Sequence, residues 1–206
     1  MTKLTTFAHR LNAGARSGGP PSLYFLTDRS RVSNPLAVIS RMPPNCGVVL
    51  RDYDAPDRQV IAHAIAAIAR QRSLRLLVGA DGDLARAVGA AGIHLPEARI
   101  SETARWRYRF PSWLITVSAH SGRTLRAAAR GGADAVFLGP AFTTQSHPGG
   151  SVLGVDRLRV LAQTSPIPVI ALGGLNADNI EHLRGASIAG IAAIGGLADE
   201  LAPSSL

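Results

Sequence analysis

Two glycine pairs near the end of this chain, Gly173-Gly174 and Gly195-Gly196, are the residues best suited to hold an anion. Each follows a short apolar run (residues 169–172 and 188–194) and precedes a helical spell. Without a Cβ, such a pair lets main-chain N–H groups come close to a ligand. The helix start behind it adds unpaired donors and a positive dipole end, so the chemistry indicated is phosphate binding. Upstream, His120 stands just past another apolar run, where neither packing nor helix propensity asks for histidine. Imidazole takes and gives a proton near neutral pH, which makes His120 the candidate general acid–base. A cap or surface role on the turn at 118–121 is the plainer alternative. His147 is the rival proton carrier, and its neighbours Pro148-Gly149-Gly150 suit a lid better than a fixed base. Thr144 and Ser146, on the same stretch, supply hydroxyls that could fold over a phosphate. Arg51 directly follows a buried run and would be costly there unless it meets an anion or pairs with Asp28. His94 lies inside an apolar run and reads first as a core histidine. No carboxylate pair or Cys/His cluster with metal-ligand spacing accompanies these residues, so no metal ligand is assigned.

The elements that must position them follow a steady alternation. Apolar runs at 23–26, 47–50, 74–78, 91–95, 114–117, 133–138, 169–172 and 190–194 read as strands. They do not alternate with polar residues, as expected of parallel strands buried on both faces. Helices are expected from Asn34-Pro35, over 56–72, from Asp81 or Asp83 to 89, over 101–107, up to Gly131, and over 155–162 and 177–184, with a short one from Leu197. Eight β/α alternations predict a single-domain (β/α)₈ TIM barrel over residues 22–206, preceded by an N-terminal extension, 1–21. In that fold the active site lies at the C-terminal strand ends, with phosphate held after strands seven and eight. The long connection at 139–154 is of a length that is more often functional than not.

Composition narrows the classes. The chain has 206 residues, 46% hydrophobic, which is small for a barrel of this type and suits one domain without insertions. No apolar run approaches the ~20 residues that span a bilayer, and the basic N-terminus lacks a secretory h-region, so a cytoplasmic protein is expected. The net charge of +8 is spread over scattered arginines without aromatic interleaving, which argues against a nucleic-acid partner. A residual positive field would draw in phosphorylated metabolites. Cys46, the single cysteine, reads as a buried, inert thiol. Self-association into a homo-oligomer is left open.

Five segments in order, L-Y-F-L-T-D (23–28), G-I-H-L-P-E (92–97), V-S-A-H-S (117–121), L-G-P-A-F-T-T-Q-S-H-P-G (138–149) and V-I-A-L-G-G-L-N-A-D-N-I (169–180), resemble the thiamine phosphate synthase/TenI superfamily. The resemblance implies a small phosphorylated thiazole as ligand. Its synthase branch joins a pyrimidine diphosphate to a thiazole phosphate, with magnesium on the leaving diphosphate. The carry-over is uneven. Of the synthase pattern Gln-x-Arg-x-Lys after strand two, only Arg51 survives, and Gly79-Ala80 stands where an Asn-Asp pair binds pyrimidine and metal. Arg99 falls at the second metal carboxylate, and Thr144-Gln145-Ser146-His147 replaces Thr-x-Thr-Lys. The thiazole-phosphate end, with Thr144, Ser146 and the late glycines, remains. The pattern is closer to the TenI branch, in which a histidine after strand five, here His120, serves as acid–base in thiazole tautomerisation. The resemblance thus implies a thiazole-phosphate enzyme of thiamine biosynthesis that needs no cofactor. The alternatives are a synthase with an altered diphosphate site, which alone would call for magnesium, and a non-catalytic phosphate-ligand binder.

Overall fold

A computed structural model describes residues 1–12, 19–144 and 152–202. Eight parallel strands close into a barrel in sequence order: β1 (Leu23–Leu26), β2 (Gly47–Leu50), β3 (Arg75–Gly79), β4 (Gly92–Leu95), β5 (Leu114–Ala119), β6 (Ala135–Leu138), β7 (Val169–Leu172) and β8 (Gly190–Ala193). The register Leu23↔Ile191, Tyr24↔Ala192 and Phe25↔Ala193 makes the closure. Period-two geometry sends Tyr24, Leu26, Val49, Leu77, Leu114, Ala135, Phe137, Ile170 and Ala192 into the lumen. Their neighbours Phe25, Val48, Leu50, Val78, Ile93, Val117 and Ile191 pack outward under the helices. Both faces are buried, which is why the runs carry no polar alternation.

The outer layer follows from local signals. Asn34 caps α2 (Pro35–Ile39) by accepting from the Ala37 N–H, with Pro35 at its first position. Behind it come α3 (Arg58–Arg72) and α4 (Gly82–Ala87), the latter capped by Asp81 through the Leu84 N–H. Next are α5 (Thr103–Arg109), α6 (Gly122–Arg130), α7 (Val155–Gln163) and α8 (Gly195–Leu201). Ser121 caps α6 through the Thr124 N–H. Two expected helices differ. The one expected from Ser101 starts as a 3₁₀ segment, Glu97–Glu102, and becomes α-helical only at Thr103. The helix expected over 177–184 is a single 3₁₀ turn, Ile180–Leu183. There the Asn176 carboxamide oxygen takes the N–H groups of Asp178 and Asn179 (2.9 and 3.1 Å), and Asn179 returns a bond to the Asn176 N–H (3.0 Å). Asparagine side chains thus satisfy donors that a helix would otherwise use.

The N-terminal segment fills part of the space left by that short turn. Helix α1 (Lys3–Asn12) packs on β8, the 180–183 turn and α8, burying Leu4, Phe7 and Ala8 at helical spacing. The Glu200 carboxylate accepts from the Leu4 N–H at 3.1–3.2 Å, tying the start of α1 to α8. Cys46 is buried, and burial pushes its thiol up to about 11. Among the described residues no helix is long and apolar enough to cross a membrane.

Candidate active site

A cavity of about 600 Å³ opens at the C-terminal ends of the strands, within the roughly 300–1,000 Å³ usual for small-molecule sites. It brings together Arg51, His120, Thr144, Gly173, Gly174, Gly195 and Gly196. Ser146 and His147 lie outside the described residues. The segment leading to them leaves β6 along the edge of β7: Ala141 N–H donates to Leu172 O (2.8 Å) and Phe142 N–H to Gly173 O (3.0 Å). Leu153 N–H then returns to Pro140 O (3.0 Å), closing the base of the long connection.

The four glycines are not equivalent. Gly173 and Gly174 sit at φ +100° and +69°, a region that disfavours side chains. A Cβ at Gly173 would lie 2.6 Å from Pro140, one at Gly174 2.5 Å from Thr143 O, and one at Gly196 2.2 Å from Leu175 O. Close packing of three loops therefore requires these three. At Gly195 a Cβ would meet only the tip of Arg31, with Nη2 at 3.3 Å. Arg31 and Asn176 line the same cavity, as does Asp199 of α8. Sequence reasoning passed over Arg31, although it lies in the connection after a barrel strand, where ligand-binding side chains of this fold gather.

His120 stands on the turn between β5 and α6 and lines the cavity. Its Nδ1 lies 2.6 Å from Gly139 O. A carbonyl only accepts, so Nδ1 carries the proton of the neutral ring and Nε2 offers the lone pair. Glu97 Oε2 lies 3.5 Å from Nε2. His94, by contrast, belongs to the barrel interior. It bonds Thr116 Oγ1 (2.8 Å) and Ser118 Oγ (2.9 Å) and packs 4.8 Å from the Phe137 ring. Burial first, and the Arg51 charge second, hold it down at about 3, so it is neutral near pH 7. Arg51 does not pair with Asp28. Its charge lies near Tyr53, while Asp28 accepts from Ser30 Oγ at 2.6 Å.

At the β3 end of the mouth the chain covers itself. A Cβ at Gly79 would lie 2.8 Å from Leu50 O and 2.9 Å from the Tyr53 ring. Arg58 donates to Gly79 O (2.6 Å) and to Asp81 (3.3 Å), and lies beneath the Tyr53 ring at 5.7 Å. Arg99 donates to Ala80 O and pairs with Glu102 through two nitrogens.

The thiamine monophosphate synthase family profile matches residues 23–197, almost the whole barrel. The chain belongs to that family. A thiamine-phosphate synthase of Chloroflexus aurantiacus is 33% identical over 179 residues, covering 84% of this chain and 82% of the relative. One of Coprothermobacter proteolyticus is 30% identical over 149 residues, 71% of each chain. Among solved structures, a thiamine phosphate pyrophosphorylase from Pyrococcus furiosus superposes with a TM-score of 0.73 at 25% identity, covering 87% of this chain and 91% of that one.

Membership of the thiamine monophosphate synthase family raises the question of magnesium, which its synthase branch uses. The residues present do not fit it. Hard oxygen ligands are needed, yet Gly79 and Ala80 bring only carbonyls, each already accepting from a guanidinium. The guanidinium groups of Arg58 and Arg99, each paired with a carboxylate (Asp81 and Glu102), already occupy those two carbonyls. Among the described residues no group of three or more His, Cys, Asp or Glu side chains is arranged to hold a metal.

Proposed function

We propose that this enzyme of the thiamine monophosphate synthase family binds a thiazole phosphate and moves a proton on it, a tautomerisation with His120 as acid–base. The observation that carries the reading is the division of the mouth. One side holds the glycine loops, Arg31, Thr144 and His120 around one cavity, and on the other the Tyr53 ring lies against Gly79. The phosphate would lie against the loops of Gly174 and Gly195, with Arg31 over it. That anchor leaves the ring in reach of His120. The Nε2 lone pair takes a proton from a ring carbon, whose bonding electrons stay in the conjugated system. The imidazolium then returns the proton at another atom, so no co-reactant is consumed. The reading is of a cytoplasmic enzyme needing neither cofactor nor metal.

The test is the rate of conversion of the non-aromatic tautomer of thiazole phosphate, followed by proton NMR. His120→Ala should lower it by about 10²–10⁴-fold with phosphate-ligand affinity nearly unchanged. An equal rate in the variant would reject the assignment. The synthase-named relatives support a second reading, a synthase with a rebuilt diphosphate site. Magnesium-dependent formation of thiamine phosphate from pyrimidine diphosphate and thiazole phosphate would establish it and displace the first. Binding with neither turnover would leave a non-catalytic phosphate-ligand binder.

A further inference from the structure

Glu97 is the acidic side chain placed against the ring of His120, and nothing in the proposed chemistry has yet used it. It begins the 3₁₀ segment after β4, one residue past Pro96. Its two oxygens are divided between two partners. Oε1 accepts from the Thr124 hydroxyl in the first turn of α6. Oε2 faces His120 Nε2 at 3.5 Å. Thr124 is itself fixed by Ser121, whose Oγ lies 2.8 Å from the Thr124 hydroxyl and accepts the Thr124 N–H at 3.2 Å. The carboxylate is therefore oriented from α6, and the ring from Gly139 O on the opposite edge. A separation of 3.5 Å is too long for a good hydrogen bond but well within an ion pair. The neutral ring keeps its Nε2 lone pair available to a ligand, and the protonated ring finds a counter-charge already in place.

We infer that Glu97 is a positioning residue for His120, holding the ring and stabilising its protonated form between the two halves of the proton transfer. This rests on the reading of His120 as acid–base. In the first half, the substrate C–H bond breaks, its electron pair stays on the thiazole, and an N–H bond forms at Nε2. The ring is now a cation, with Nδ1–H on Gly139 O, Nε2–H on the substrate side and the Glu97 carboxylate 3.5 Å from Nε2 as counter-charge. In the second half that N–H bond breaks and the proton returns to the substrate. The carboxylate gains and loses nothing. It lowers the cost of the charged intermediate because it needs no reorientation when the charge forms.

The experiment measures kcat and KM for conversion of the non-aromatic thiazole phosphate tautomer by wild type, Glu97→Gln, Glu97→Asp, Thr124→Val and His120→Ala. Melting curves confirm that each variant is folded. Glu97→Gln keeps the shape and an oxygen for Thr124 but removes the charge. Its kcat should fall by about tenfold, between the effect of an exposed and of a shielded ion pair, with KM within about twofold. Glu97→Asp keeps the charge and should retain more of kcat than Glu97→Gln. Thr124→Val should lower kcat less, and add little when combined with Glu97→Gln, because both act through one carboxylate. A purely structural role would lower stability or shift KM instead of separating the charged from the uncharged variant. Wild-type kcat in Glu97→Gln, with activity lost in His120→Ala, overturns the inference and leaves the acid–base reading standing. Wild-type kcat in His120→Ala overturns both.

Discussion

His94 makes the stability of the barrel depend on pH in a direction that can be worked out beforehand. The ring is fully enclosed by the lumen, and burial with the Arg51 charge lowers it from 6.5 to about 3. A group whose folded value lies below its unfolded one contributes full stability above the unfolded value and loses it as pH falls toward the folded one. Below pH ~6.5 the unfolded chain binds a proton at this residue that the folded chain refuses. Each pH unit in that window costs about 1.4 kcal/mol, so about 2 kcal/mol is lost by pH ~5 and about 4–5 kcal/mol by pH ~3. For a chain of this size, 2 kcal/mol lowers Tm by roughly 4–8 °C. Other groups also titrate there, so the test is a difference. His94→Gln, close to it in volume and able to bond Thr116 and Ser118, should melt lower near pH 7 but lose less between pH ~7 and pH ~5. The assay is thermal unfolding by circular dichroism in a pH series. Parallel curves for the two proteins would refute the buried neutral histidine.

The glycines should separate by substitution. Gly173→Ala meets Pro140 at 2.6 Å from a positive φ and should lower Tm, with strain of at least about 1–2 kcal/mol and loss of anion binding. Gly195→Ala meets only Arg31, so it should leave Tm within about 2 °C while weakening affinity for inorganic phosphate or thiazole phosphate in calorimetry. Phe7→Ala removes a buried ring between α1 and the barrel and should cost about 3 kcal/mol in denaturant unfolding. A loss under ~0.5 kcal/mol would show that α1 does not stay docked.

Strands were the most legible part of the sequence, because residues buried on both faces leave unbroken apolar runs. Six of the eight expected runs agree with the observed strands to within a residue at each end, and β5 and β6 differ by two at one end. The cap at Asn34, and Asp81 of the Asp81/Asp83 alternative, were legible for the same local reason, whereas the Ser121 cap of α6 was not singled out. The helix after β7 was not, since alanine and leucine favour helix while the decision rests with Asn176 and Asn179, whose amides bond backbone only once the turn is folded. Arg31 was missed because an arginine in a polar connection looks like any solvated charge. Its place over Gly195 is a property of the closed barrel. Tyr53 was missed likewise, since nothing near it in sequence announces a partner on β3.

That pairing explains more than a missing side chain. If Gly79 and Ala80 were simply truncations of a metal-binding pair, the mouth above β3 would be left wider than the ligand half. Instead Tyr53 covers Gly79, Arg58 holds its carbonyl from below the ring, and Arg99 holds the next carbonyl while neutralised by Glu102. Each member depends on the others. A side chain at residue 79 collides with Tyr53, whose ring lies against the Arg58 guanidinium and near the Arg51 charge. Burial first, and the Arg51 charge second, keep His94 neutral inside the barrel. The Tyr53 half and the open half are thus joined through one arginine. A mouth arranged in this way suits one anion beside one histidine, the arrangement that the proposed proton transfer on a single phosphorylated ring would require.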